Sequence, residues 1–172
     1  KILQTTETYH SQFPLRRGIP REELKSKLKL PPRIFNVIIS KLITDHLITD
    51  YSVWLAKPNH EIKFSGTDQL KVKELMRKFD QNPYVTPSVK ECQSEVGEEI
   101  VNALIELGEL VAVSQDVLFR KKDFDALVEK VSVTIQKNGA ITLAEARDTL
   151  GTTRKYAQAL LEHLDSIGIT MR

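Results

Sequence analysis

A short basic segment in the last fifth of the chain has residue types suited to contacting nucleic acid. Thr153 is predicted to cap a helix there, and Arg154, Lys155 and Tyr156 follow it in the first turn. The first turn of a helix has free backbone N–H groups and the positive end of the helix dipole, and both favour a phosphate. The ring of Tyr156 lies at the edge of the predicted buried face of this helix, where it either packs in the core or offers a surface on which an unpaired base can stack. The segment therefore predicts a small contact surface for a compact, folded nucleic acid.

Two more arginines extend this surface in the sequence, Arg147 in the preceding predicted helix and Arg172 in the segment that follows. The exposed face of the last helix is positive only at its beginning, because apolar residues recur at helical spacing farther along. The formal net charge of the whole chain is only +2, with 25 Lys+Arg against 23 Asp+Glu. Binding is therefore expected to depend on a local patch and on shape, since the chain has no large positive field.

The rest of the sequence predicts no catalytic, cofactor or metal site. It contains no G-x-x-x-x-G-K-[ST] loop for a nucleotide phosphate, and its four histidines are not spaced as metal ligands. Cys92 is the only cysteine, which excludes an internal disulfide and fits a reducing cytoplasm. No apolar run approaches the roughly 18 residues of a membrane span. We expect a cytoplasmic monomer without enzyme activity, and a first residue of Lys rather than Met suggests a part of a longer protein.

A repeat of about 60 residues organises the elements that must position these side chains. Leu42, Leu104 and Leu164 occupy matching places near the ends of three predicted helices. In the second and third copies a glycine, Gly108 or Gly168, follows four residues later, where a helix commonly ends in a left-handed residue. The first copy has a histidine at that place, which is a weaker stop signal.

The first two copies predict three helices followed by a two-stranded hairpin, which is the plan of a winged helix-turn-helix, and the third predicts the three helices with a single strand after them. Thr142 and Glu145 form a specific start signal for the second helix of the third copy, a capping box. Ile141 is expected to contribute a single strand contact, and the segment before Arg172 one further strand. The sequence therefore predicts a mainly α fold with small β-hairpin wings: three tandem winged helices, at residues 1–64, 65–120 and 121–172, forming an elongated arm. The last wing is expected to be truncated.

The start of the third helix distinguishes the three copies as nucleic-acid binders, because that turn approaches the ligand in a helix-turn-helix. In the second copy it begins with Glu98 and Glu99, whose carboxylates repel phosphate, so this copy is interpreted as a spacer. The first copy begins with Pro32 and Arg33, a single charge, and is interpreted as a junction. Only the third copy combines two cations with a ring at this place.

Two segments resemble a known protein family. The run ITLAEARDTLGTTRKYAQALLEHLDSIGITMR resembles the last winged helix of SelB, the bacterial selenocysteine-specific translation elongation factor. The runs YHSQFPLRRGIPREELKSKL and WLAKPNHEIKF resemble an earlier winged helix of the same family. The resemblance implies RNA binding, with Arg154, Lys155 and Tyr156 as principal contacts to the selenocysteine-insertion (SECIS) hairpin of a messenger RNA. It also implies a GTPase body outside this chain, which binds GTP and selenocysteinyl-tRNA and works on the ribosome.

Two alternative functions remain open from the residues alone. A winged-helix regulator would bind double-stranded DNA and depend on duplex length and half-sites. A protein-interaction scaffold would bind only other proteins, and charge reversal at Arg154 and Lys155 would leave its binding intact.

Overall fold

The structure, a computed structural model, describes residues 1–171, and Arg172 lies outside the described residues. The chain divides into two compact units, one of residues 1–64 and the other from Ser65 onward. Helices dominate both units and the strands are only two or three residues long. The predicted fold class, mainly helical with small sheets, is confirmed. Within residues 1–171 no helix has the length and apolar character needed to cross a bilayer.

The first unit is a three-helix bundle with a small sheet. Its elements are α1 (Ile2–Gln12), β1 (Ile19–Pro20), α2 (Arg21–Leu28), α3 (Pro32–Thr44), β2 (Thr49–Asp50) and β3 (Trp54–Ala56). The strands are antiparallel in the order β1-β3-β2, so β3 lies between the other two. Pro20 and Pro31 are the N-caps of α2 and α3, a position where proline loses no helical hydrogen bond. Phe35 and Ile39 of α3 pack with Leu24 and Leu55 in the core.

The second unit begins with another helix bundle and hairpin. Its first elements are α4 (Gly66–Gln81), α5 (Val89–Val96), α6 (Glu98–Glu106), β4 (Leu110–Ala112) and β5 (Leu118–Arg120). Ser88 caps α5 and forms a capping box with Glu91, whose carboxylate accepts the Ser88 backbone N–H at 2.7 Å. Strands β4 and β5 pair antiparallel with Val111 opposite Phe119. An isolated bridge joins Ser88 to Val117, just before β5.

Three more helices complete the second unit: α7 (Lys121–Asn138), α8 (Leu143–Leu150) and α9 (Arg154–Ser166). The predicted capping box of α8 is present, because the Glu145 N–H donates to Thr142 Oγ1 at 3.2 Å and the Glu145 carboxylate accepts the Thr142 N–H at 2.7 Å. The strands expected at Ile141 and after α9 are not formed within residues 121–171. A wing needs a returning strand for its hydrogen bonds, and only three described residues follow Gly168.

The helix ends at the three repeated leucines have the same geometry. The residue four positions after each leucine has a positive φ: 56° at His46, 78° at Gly108 and 74° at Gly168. In every copy the leucine carbonyl accepts the backbone N–H five residues later at 2.9 Å. Such a bond satisfies a carbonyl that the helix leaves free. The predicted left-handed ends are therefore confirmed, and His46 adopts the same conformation without the freedom of glycine.

One apolar core connects the hairpin of the second unit with its last three helices. Val113, Val117 and Phe119 of the β4–β5 hairpin belong to the same cluster as Leu127 of α7 and Leu160 of α9. The second and third predicted winged helices thus lie in one compact unit. The division into three domains stays a prediction.

Candidate nucleic-acid interface

The first turn of α9 is set up by the residues just before it. Gly151 is in the left-handed conformation (φ 62°) at the end of α8 and turns the chain toward Thr153. Thr153 is the N-cap of α9, as predicted, and its carbonyl accepts the Ala157 N–H at 3.0 Å. Its side chain makes no capping bond, and the first turn contains no acidic residue. Backbone N–H groups of this turn therefore have no helical acceptor and no side-chain cap.

Arg154 is exposed and is the cation of this turn that has no partner among the described residues. Within residues 1–171 its guanidinium has neither a hydrogen bond nor an ion pair. The side chain lies at the edge of an open groove whose wall includes Gln158 of α9 and the apolar side chains of Ile141 and Ile169. A planar guanidinium with five donors is well suited to a phosphate or to a base edge. Arg154 therefore fits the predicted role in position and exposure.

Lys155 is also exposed, but it is paired. Its ammonium forms an ion pair with the carboxylate of Asp116, which lies between β4 and β5. The hydrogen bond to Asp116 raises the pKa of Lys155 above its ordinary value. About half of each side chain remains exposed, so solvent screens the pair and a phosphate can compete for the ammonium. The expectation of two unpaired cations at this turn is therefore met by Arg154 alone.

Tyr156 belongs to the core. It is only 8% exposed, its hydroxyl donates a hydrogen bond to the backbone carbonyl of Thr86, and its ring lies 6.1 Å from that of Phe119. A buried ring offers no face to a base, so the expected stacking surface is wrong. The ring is inside because its hydroxyl bonds the segment before α5, whose bonded residue lies 70 positions earlier in the sequence.

The two other predicted contacts differ from one another. Arg147 of α8 is exposed and donates from Nε to the neighbouring Asp148 carboxylate at 2.7 Å, which offsets its charge. The pKa of Asp148 is lowered by this hydrogen bond. Arg172 lies outside the described residues, and its predicted contact is therefore not described by the structure.

The corresponding turns of α3 and α6 differ from that of α9. Helix α6 begins with the exposed Glu98 and Glu99. Helix α3 begins with Pro32 and Arg33, followed by Ile34, which is 50% exposed. Among these three helices, α9 is the one whose first turn carries cations and exposes no apolar or acidic side chain.

Residues of the preceding hairpin and loop, which the sequence did not indicate, hold the beginning of α9. Thr152 Oγ1 donates to the Tyr84 carbonyl, Tyr156 to the Thr86 carbonyl, and Lys155 to Asp116. These pairs are separated by 39 to 70 positions in the sequence. No local spacing pattern relates residues that far apart, so only the tertiary fold identifies them.

In the described part of the chain, Cys92 and the stacked pair of His10 and His60 do not have the properties of a reactive site. Cys92 is fully buried, and burial raises the pKa of its thiol to about 11. Such a thiol is not a nucleophile at neutral pH. His10 is buried against His60 with 3.5 Å between ring centroids, and burial lowers the pKa of His10 to about 4.

Two family models match the chain, both described as "Elongation factor SelB, winged helix", at residues 3–56 and 134–172. Two winged-helix domains are thus identified, and three in tandem stays a prediction. The chain is 27% identical over 173 residues to the selenocysteine-specific elongation factor of Desulfomicrobium baculatum, and 28% identical over 181 residues to that of Escherichia coli (strain K12). These alignments cover 95% and 100% of this chain. They cover 27% and 29% of the relatives, so the chain spans little more than a quarter of their length.

Two solved structures resemble the fold. One is the mRNA-binding domain of elongation factor SelB from E. coli in complex with SECIS RNA, with a TM-score of 0.52 and 25% identity. The match covers 63% of this chain and 93% of that domain. The other is a bacterial selenocysteine-specific elongation factor, EF-Sec, with a TM-score of 0.51 and 17% identity over 99% of this chain and 27% of that one. The second likeness shows the fold alone.

Proposed function

Since the chain belongs to the SelB elongation-factor family, we propose that it binds a messenger-RNA hairpin of the SECIS type through the first turn of α9. The observation that supports this most directly is the likeness to a SelB domain solved with SECIS RNA. The family match at residues 134–172 includes the whole of α9. The uncapped and exposed Arg154 turn is the part of that segment with the chemistry to bind a phosphate.

Arg154 is the main contact in this proposal, and Lys155 is a second contact that RNA must separate from Asp116. Arg147 and Arg172 are additional phosphate contacts, and Tyr156 supports the turn from within the core. The binding surface is small because two of its cations are paired with carboxylates. Each neutralised phosphate contributes about 0.7 to 0.9 to the steepness of log K against log salt, so Arg154 and Lys155 alone give a slope of roughly −1.4 to −1.8 and all four cations at most about −2.8 to −3.6. Such a shallow slope leaves most of the specificity to the shape of the RNA.

The chain is proposed to act as the RNA-recognising part of a longer protein. The GTPase body, the selenocysteinyl-tRNA and the ribosome belong to that longer protein, whose site of action is the cytoplasm. In this proposal the chain itself carries out no reaction and recruits the body to a UGA codon by holding the hairpin.

A titration with three ligands tests the proposal. The chain is titrated, at fixed salt, against a bulged hairpin RNA, the fully paired RNA duplex of the same composition, and the corresponding DNA duplex. We expect the hairpin to bind most tightly. Preference for the DNA duplex would favour a DNA-binding regulator, and the absence of any RNA binding at low salt would favour a protein-interaction scaffold. Either result would contradict RNA recognition by this chain.

A further inference from the structure

The beginning of α9 is fixed to the hairpin and loop of the second predicted winged helix. Three side chains around this turn, Thr152, Lys155 and Tyr156, each bind a residue of that segment. Two of these bonds go to backbone carbonyls. The third goes to a carboxylate, that of Asp116, which carries a charge of the same sign as a phosphate.

Asp116 is held in place by its backbone. Its N–H donates to Ser114 Oγ at 3.3 Å, and its carbonyl accepts the Val89 N–H at 3.3 Å. The next residue, Val117, is 1% exposed and donates its own N–H to Ser114 Oγ at 3.1 Å. The turn that presents the carboxylate is therefore anchored on both sides. Lys155, with its long and half-exposed side chain, is the mobile partner of the pair.

The nearby acids and bases leave Asp116 as the acceptor for Lys155. The Glu91 carboxylate bonds the backbone N–H and the hydroxyl of Ser88 at 2.7 Å each, in the capping box of α5. Arg154 has no bond or ion pair with any acid in the described part of the chain. The charge of Glu91 also acts on Lys155, but Asp116 is the carboxylate that bonds the ammonium.

We propose that Asp116 is a specificity-determining residue for RNA binding, because its carboxylate competes with RNA phosphate for the ammonium of Lys155. This inference rests on the proposed function of α9. Among the described residues of the first turn of α9, a polyanion that depends on charge alone finds one unpaired cation, Arg154, instead of two. A hairpin that fits the turn gains additional contacts and can separate Lys155 from Asp116. The second predicted winged helix then limits the binding of unsuitable nucleic acids, beyond its predicted role as a spacer.

The test is Asp116→Asn, which removes the charge and keeps the size of the side chain. An exposed ion pair contributes up to about 1 kcal/mol, which corresponds to a factor of about five in affinity. We expect Asp116→Asn to tighten binding of the bulged hairpin by up to about fivefold and that of the paired duplex by more, so that the preference for the hairpin falls, and an equal gain for both ligands would contradict a role in specificity. The salt slope should become steeper by up to about 0.9, the contribution of one phosphate.

Two control variants separate competition from a general change in charge. Asp125→Asn removes the same charge from another exposed pair, that with Lys121 on α7, and should change hairpin affinity less than twofold. In a Lys155→Met background, Asp116→Asn should have no effect on affinity or salt slope. Thermal unfolding and circular dichroism of every variant check that the fold is retained.

The outcomes distinguish this inference from the proposed function. If the original chain binds the hairpin and Arg154→Ala weakens it, while Asp116→Asn leaves affinity unchanged or lowers it, Asp116 does not compete and the inference is overturned. An equal gain from Asp125→Asn, or a gain that persists with Lys155→Met, overturns it as well. If the original chain does not bind the hairpin, the proposed function itself is contradicted.

Discussion

Arg154→Ala is the substitution that tests the binding surface most sharply. The Arg154 side chain is exposed and makes no hydrogen bond or ion pair within residues 1–171, so its truncation breaks no interaction of the fold. A good arginine contact to a base or phosphate contributes about 1 to 3 kcal/mol. The expected loss of hairpin affinity is therefore roughly 5- to 150-fold, with unfolding temperature unchanged.

Lys155→Ala is the comparison for Arg154→Ala, because it removes a paired cation where the other variant removes an unpaired one. Breaking the pair with Asp116 offsets part of what Lys155 gains from a phosphate, so its removal should weaken binding less than Arg154→Ala. Fluorescence anisotropy with a labelled hairpin measures both variants under the same salt conditions. The double substitution Glu98→Gln, Glu99→Gln is the control, because those side chains begin α6 and should not affect affinity. Unchanged affinity in Arg154→Ala, or a larger loss in the α6 control, would refute the assignment of α9.

Four further substitutions test how the turn is supported. Tyr156→Phe leaves the Thr86 carbonyl without its donor and should lower the free energy of unfolding by about 1 to 3 kcal/mol in denaturant titrations. Hairpin affinity at low temperature should be retained. Loss of binding without loss of stability would contradict a core role. Thr142→Ala removes the cap of α8 and should lower the free energy of unfolding by about 0.5 to 2 kcal/mol. Hydrogen bonds to Thr142 lower the pKa of Glu145, so the stabilisation by this carboxylate is present above its unfolded-state pKa and lost as pH falls through the folded-state value. Melting temperatures of the original chain and Glu145→Ala should therefore approach one another in acid, and a difference that stays constant with pH would argue against the capping box. Gly168→Ala places a side chain at φ 74° and should cost about 1 to 2 kcal/mol, whereas no change in melting temperature would mean that this end of α9 does not contribute to stability.

Local signals in the sequence predict the helices well. The ends of α8 and α9 follow from the Thr142–Glu145 capping box and from Gly168, because each acts on backbone groups only a few residues away. The helical spacing of Ala157, Leu160, Leu161 and Leu164 predicts the buried face of α9. The first, second and fourth of these side chains lie in the core, and Leu161 is partly buried against it.

The sequence does not predict which charges remain available. The surroundings of Lys155 and Tyr156 depend on Asp116 and Thr86, which the fold brings close across 39 and 70 positions. A helical projection places Tyr156 at the edge of the buried stripe, and only the tertiary contact decides that its ring is inside. The formation of the short strands also depends on a neighbouring strand, and β1 forms because β3 lies beside it. No equivalent partner is present among residues 121–171 for Ile141.

Backbone chemical-shift mapping tests the central claim most directly, because it locates the RNA on the chain without any substitution. Isotope-labelled chain is titrated with the bulged hairpin, and the amide signals are followed to saturation. We predict that the largest changes fall on the amides of Arg154 and Lys155 and on their neighbours in the first turn of α9. If the largest changes fall on the first turn of α6 or in residues 1–64, while the turn of α9 is unaffected, RNA recognition by α9 is contradicted.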